Sequence, residues 1–164
     1  MNRVTPSHIR VDADEVTYPL HIIIRYEMEQ GLIDGSISVN DVPAIWNAKM
    51  KEYLGIEPKN DSEGCLQDIH WAMGFFGYFP SYLLGAMYAA QFFEAAIQAN
   101  PTLCDDFRKG EFDRFREWLK TAVHKPGFFA NCSEDLLKEV CGKGLDPDVY
   151  VSYLKGKYED LYCL

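Results

Sequence analysis

The stretch Gly64 to Tyr82, GCLQDIHWAMGFFGYFPSY, places Gly64, Gly74, Gly77 and Pro80 within nineteen residues. A single uninterrupted helix cannot run through it: glycine brings excess backbone freedom, and proline removes a donor and clashes with the preceding turn. The spacing predicts a short helix over 66–73, a glycine-rich bend through Phe79 and a long helix over 81–99. Gly85, Ala86, Ala89, Ala90, Ala95 and Ala96 are small enough for other helices to approach the last of these closely, which puts it at the centre of the core. Gln67, Asp68 and His70 make the first part more polar than a core helix needs.

On either side the pattern is helical. Asp12, Asp14 and Glu15 set negative charge at a helix start. Leu20, Ile23, Ile24 and Met28 then recur at three- and four-residue steps, with Pro19 expected to kink that helix or perturb its first turns. After Gly31 the sequence LIDGSISVND predicts turn and loop. Asn40 or Asp41 then caps a helix that runs through Trp46 and Met50 to Leu54 and ends at Gly55. GIEPKNDSEG is a polar loop leading into the glycine-rich stretch. Further helices are expected over 105–123, with Phe112, Phe115, Trp118 and Leu119 on one stripe, over 133–140 with Ser133 as cap, and over 148–161. The expected fold class is all-α, a multi-helix bundle in a single domain spanning 1–164.

Composition narrows the function classes. With 48% hydrophobic residues the 164-residue chain has a globular composition. The formal charge of −9 excludes the basic face that nucleic acid or an anionic membrane surface requires. Cys65, Cys104, Cys132, Cys141 and Cys163 are odd in number and form no C-x-x-C pair, which reads as reduced thiols. No signal-peptide core or membrane-length apolar run stands in the sequence, so the expected setting is cytoplasmic.

The candidate site residues are Arg10, Gln67, Asp68, His70, Tyr78 and Tyr82. Arg10, in IRVDAD, could grip a planar carboxylate with two parallel hydrogen bonds, or could pair with Asp12 or Asp14 to tie the loop to the helix. If 66–73 is helical, Gln67 and His70 share a face and Asp68 points away. His70 is then either a hydrogen-bonded structural residue or a group that orients substrate. Tyr78 and Tyr82 could donate to a developing oxyanion or could serve as aromatic packing.

These two stretches carry a resemblance. Gly64, Gln67, Asp68, His70 and Trp71 fill the pattern G-x-x-Q-D-x-H-W, and Ile9, Arg10, Ala13 and Asp14 fill I-R-x-x-A-D. Together they resemble the M32 family of zinc metallocarboxypeptidases, the carboxypeptidase Taq type. The likeness extends through PAIWNAKMKEYLG and LDPDVYVSYLKGKYEDLY, so the chain resembles roughly the C-terminal third of such an enzyme.

The resemblance implies an all-helical fold with a substrate groove and a homodimer. It implies that Arg10, with Gln67 and Asp68, binds the free C-terminal carboxylate of a peptide, and that His70, Tyr78 and Tyr82 serve the catalytic side. It also implies zinc in a complete enzyme, but the family's H-E-x-x-H motif is missing, since no two of His8, His21, His70 and His124 are four apart. No metal-ligating residue is therefore expected here, and no cofactor in this chain alone. The expected protein is a truncated metallopeptidase, a hydrolase inactive alone. The alternatives are one half of a split protease that meets a zinc-bearing portion, or a non-catalytic helical interaction module.

Overall fold

The structure, a computed structural model, describes residues 2–164, and its regular elements are all helical. The chain forms two compact units, one running to Leu83 and the other from Leu84 to Leu164.

The first unit opens with a 3-10 turn at Arg10–Asp12 and continues into α1 (Tyr18–Asp34). Asp14 prepares the entry to α1, its Oδ1 accepting from Val16 N at 3.0 Å and Thr17 N at 2.9 Å. Pro19 falls in the first turn, where its missing N–H is not needed, so it starts the helix instead of kinking it. α1 also runs past Gly31, through residues expected to be loop, and stops at Gly35 with φ +80°. The helix tolerates Gly31 because the Ile37 side chain lies against it.

α2 (Val42–Leu54) ends at Gly55 as expected and packs on α1. Ile24 and Met28 of α1 meet Trp46, Met50 and Leu54 of α2, with Cys65 completing the buried cluster. Full burial of each large apolar side chain contributes roughly 1.5–3 kcal/mol. The Trp46 and Trp71 rings meet edge to face at 6.0 Å, which anchors the start of the glycine-rich bend to this core.

The expected helix over 66–73 does not form. The Gln67 side-chain amide competes there for the carbonyls of Glu63 and Gly64, at 3.0 and 3.1 Å, and Gly64 O accepts from Gln67 N in a turn at 3.2 Å. What forms is a series of turns and a 3-10 helix at Trp71–Met73. Gly74 and Gly77 then bend the chain at φ +76° and +79°, a region L side chains rarely enter. α3 (Pro80–Ala99) follows, and the chain passes from the first unit to the second within it.

α3 buries Ala90, Gln91 and Ala96 and leaves much of its remaining surface open, so it is less enclosed than its small residues suggested. The single helix expected over 105–123 is divided into α4 (Leu103–Arg108) and α5 (Asp113–Leu119), the latter continuing as a π-helical turn, Lys120–His124, and α6 (Lys125–Gly127). Gly110, at φ +78°, makes the break, and it lets Phe112 stack on Phe107 at 5.6 Å. α7 (Ser133–Cys141) has Cys132, not Ser133, at its N-cap. α8 (Pro147–Tyr162) is capped by Asp146, which accepts from Asp148 N. Gln91 pins the approach to α8, donating to Gly144 O at 3.0 Å and accepting from Asp146 N at 2.8 Å.

Candidate functional site

Arg10 sits on the short 3-10 turn before α1, and Gln67 fixes its backbone there. Gln67 Oε1 accepts from Arg10 N at 2.8 Å, while Gln67 Nε2 donates to His8 O at 3.0 Å. The turns that replace the expected helix bring Asp68 to the same point, although helical geometry would have turned it away from Gln67. Arg10 Nε and Nη2 both donate to Asp68 Oδ1, at 3.1 and 2.7 Å. The carboxylate partner of Arg10 is thus Asp68, 58 positions along the chain, and Asp14 is engaged with the start of α1.

The other oxygen of Asp68 is also taken. Arg25 Nε donates to Oδ2 at 2.7 Å with Nη2 at 2.6 Å, and its Nη1 donates to His21 O at 2.7 Å. Arg25 is completely buried, its guanidinium 4.7 Å from the Trp46 ring. Two guanidinium groups therefore share one carboxylate, leaving one surplus positive charge in a largely enclosed place within a chain of net charge −9.

The electrostatics follow from that arrangement. Burial pushes the Asp68 carboxyl up, but hydrogen bonds from Arg10 and the charge of Arg25 outweigh it and hold it below the usual carboxylate range. Burial draws Arg25 down to about 10 against the opposing pull of Asp68, which leaves it cationic at neutral pH. Burial, then the Arg25 charge, lower His21 to about 4, so it is neutral under ordinary conditions.

Aromatic rings cover the cluster. The Arg10 guanidinium lies 5.0 Å from the Tyr82 ring centroid and 5.7 Å from that of Phe79. His70 Nε2 and Tyr82 OH share a hydrogen bond at 3.0 Å. His70 Nδ1 is buried without a hydrogen-bond partner, 3.9 Å from Asp68 Oδ1. Tyr78 packs edge-on to Tyr82 at 5.4 Å and is half exposed. All six candidate residues thus meet in the first unit.

Sequence reasoning missed three neighbours: His21, Arg25 and Glu29 of α1. Each is four residues from the next and each is buried, between the apolar Ile22, Ile24 and Met28. A polar stripe at helical spacing inside an apolar run was the available signal, masked by following only the apolar positions Leu20, Ile23, Ile24 and Met28.

The described side chains bring no set of zinc ligands together. Among the described residues no group of three or more His, Cys, Asp and Glu could hold a metal ion. His70 is engaged with Tyr82, His21 lies beside Arg25, and His8 Nδ1 is 3.7 Å from Glu63 Oε2.

Comparison with known proteins gives the setting of this cluster. Residues 1–158 match the family described as carboxypeptidase Taq (M32) metallopeptidase. The chain is 47% identical over its whole length to Carboxypeptidase 1 of Bacillus subtilis, covering 32% of that protein, and 43% identical to Thermostable carboxypeptidase 1 of Thermus thermophilus, again covering 32%. Its backbone superposes on the M32 carboxypeptidase of Deinococcus radiodurans with a TM-score of 0.95 at 39% identity, over 99% of this chain and 33% of that one. On Metallocarboxypeptidase 1 of Trypanosoma cruzi the TM-score is 0.92 at 43% identity, over 96% of this chain and 32% of that one. The chain spans about a third of the length of the relatives it matches. With the family match, the sequence identity and the shared all-helical fold in agreement, the chain belongs to the M32, or carboxypeptidase Taq, family of metallopeptidases.

Proposed function

We propose that this chain supplies the carboxylate-recognising part of a metallocarboxypeptidase that removes C-terminal residues from peptides, with the zinc held by a portion outside it. The observation that carries the reading is the Arg10–Asp68–Arg25 cluster. Its surplus positive charge sits under aromatic cover, an arrangement that favours a single incoming carboxylate. Asp68 engages Arg10 through Nε and Nη2. Nη1 donates to the Tyr18 hydroxyl at 3.4 Å, and in this reading it is the donor offered to a peptide's free C-terminus.

In this reading Gln67 and Asp68 act on the substrate through Arg10, one holding its backbone and the other its side chain. The His70–Tyr82 hydrogen bond fixes the direction of a phenol that can donate to the oxyanion of the attacked carbonyl, and half-exposed Tyr78 is the second candidate for that role. No step of the hydrolysis is assigned to a metal on this chain, and the chain by itself is inactive.

The test is reconstitution with the part of the Bacillus subtilis relative that this chain does not cover. The mixture should release C-terminal residues from a free-carboxyl peptide and spare the same peptide amidated at its C-terminus. Equal cleavage of the two peptides would remove the proposal.

A second reading, a helical interaction module without catalysis, is favoured by one observation. An apolar groove of about 520 Å³ in the first unit is lined by Leu32, Ile33, Val39, Val42, Leu66 and Phe76, of which Ile33, Val39 and Leu66 are strongly exposed. The readings part on the reconstituted mixture: the module binds without cleaving either peptide. Both expect association, in the first reading with the zinc-bearing portion or a second copy. Setting and residue preference follow from the complete enzyme, and among the described residues no helix is long and apolar enough to cross a membrane.

A further inference from the structure

Glu29 is a buried carboxyl whose two oxygens go to uncharged donors. Oε1 accepts from the indole Nε1 of Trp71 at 2.9 Å, and Oε2 accepts from the backbone N of Gly77 at 3.1 Å. It stands one helical turn after Arg25 on the same face of α1, so α1 holds the glycine-rich stretch at consecutive points: Asp68 through Arg25, then Trp71 and Gly77 through Glu29.

The two atoms Glu29 holds are the shoulders of one bend. His70 leaves the chain immediately before Trp71, and Tyr78 leaves it immediately after Gly77. Between them Gly74 and Gly77 both take positive φ; backbone bonds such as Phe75 N to His70 O at 2.9 Å close the first half of the bend, up to Phe75, while Gly77 N goes to Glu29. The Trp71 ring is further fixed edge to face against Trp46 and stacked on Phe76 at 6.0 Å. Glu29 spans this bend from Trp71 to Gly77, across the segment that separates His70, whose Nε2 is 3.0 Å from Tyr82 OH, from Tyr78 and Tyr82.

We infer that Glu29 is a positioning residue of the site: by bonding Trp71 and Gly77 together it sets the separation of His70 from Tyr78 and Tyr82. This rests on the reading of those three residues as working parts of the site. The test reads geometry, not turnover, so the inference can fail while the carboxypeptidase reading stands, and the reverse.

Glu29→Gln keeps the size of the side chain but offers one oxygen where two donors need an acceptor. In the chain labelled with ¹⁵N, two signals are followed: hydrogen exchange of the Trp71 indole N–H and the His70 Nε2 resonance. The control is Glu27→Gln, which loses comparable bonds, from Lys49 Nζ at 2.6 Å and Tyr53 OH at 2.9 Å, on another face of α1.

Glu29→Gln should speed Trp71 indole exchange by about tenfold or more and displace the His70 resonance, while Glu27→Gln moves neither. Parental signals in Glu29→Gln, or equal displacement in both variants, overturn the inference and leave Glu29 a contributor to stability alone. Should Glu29→Gln not fold, Glu29→Asp keeps both oxygens on a shorter stem. The same two displacements are then expected from it, and parental signals are equally fatal.

Discussion

Arg25 and Asp68 form the most deeply buried ion pair of the site, the guanidinium fully enclosed and held at 2.6–2.7 Å from Oδ2, while Arg10 occupies the other oxygen. Because two cations share one anion, removing the anion and removing one cation have unequal consequences.

Asp68→Asn leaves two enclosed guanidinium groups with no counter-charge and should cost roughly 3–5 kcal/mol. Arg10→Met leaves a neutral Arg25–Asp68 pair and should cost roughly 1–2 kcal/mol. Urea unfolding of both variants measures the difference. An Arg10→Met loss equal to or larger than that of Asp68→Asn is incompatible with the shared-carboxylate description.

Stability should also fall on acidification in a window set by His21. Its value is about 4 in the folded chain and the ordinary 6.5 when unfolded, so the unfolded chain binds the extra proton. The contribution of neutral His21 is fully present above about pH 6.5 and is lost progressively towards pH 4, by about 3 kcal/mol in total. Asp68, held below the usual carboxylate range, adds a separate loss beginning near pH 4 and continuing below it. Denaturant titrations of the parent and of His21→Leu across this range check the assignment: the variant should be flatter between pH 6.5 and 4. An unchanged slope there would assign the acid sensitivity to other groups.

Gly31→Ala offers a test of packing against propensity. In an exposed helix interior alanine is favoured over glycine by about 1 kcal/mol. A Cβ at residue 31 would fall on the Ile37 side chain, which lies across the helix because Ile37 N donates to Gly31 O at 2.9 Å. Overpacking should outweigh propensity and leave the variant less stable by roughly 1–2 kcal/mol. A rise in melting temperature would mean that Ile37 yields freely.

Part of the fold was legible because α2 carries its own stop signal, Gly55 in left-handed conformation, whereas the end of α1 was misread: Gly31 stays helical and the left-handed stop is Gly35. The 66–73 segment was misread because local periodicity says nothing about a side chain that competes for backbone carbonyls, as Gln67 does. Arg10, Gln67, Asp68 and His70 stand in the two motifs and meet in space, whereas Arg25 and Glu29, which bind Asp68 and Trp71, were not named from the sequence. The geometry of the site was not legible, since the bonds joining Arg10 to Asp68 and Glu29 to Gly77 cross 58 and 48 positions and no local rule anticipates them.

The central claim is that Arg10 is held ready for a substrate carboxylate, and the most direct measurement compares Arg10→Met with the parent in the complex reconstituted with the zinc-bearing portion. The account predicts that kcat/KM for a free-carboxyl peptide falls on the order of a hundredfold, while the melting temperature of the chain falls by only about 2–8 °C. Activity per folded molecule that stays within about twofold of the parent, together with a large loss of stability, would show Arg10 to be a structural ion-pair partner and would contradict the account.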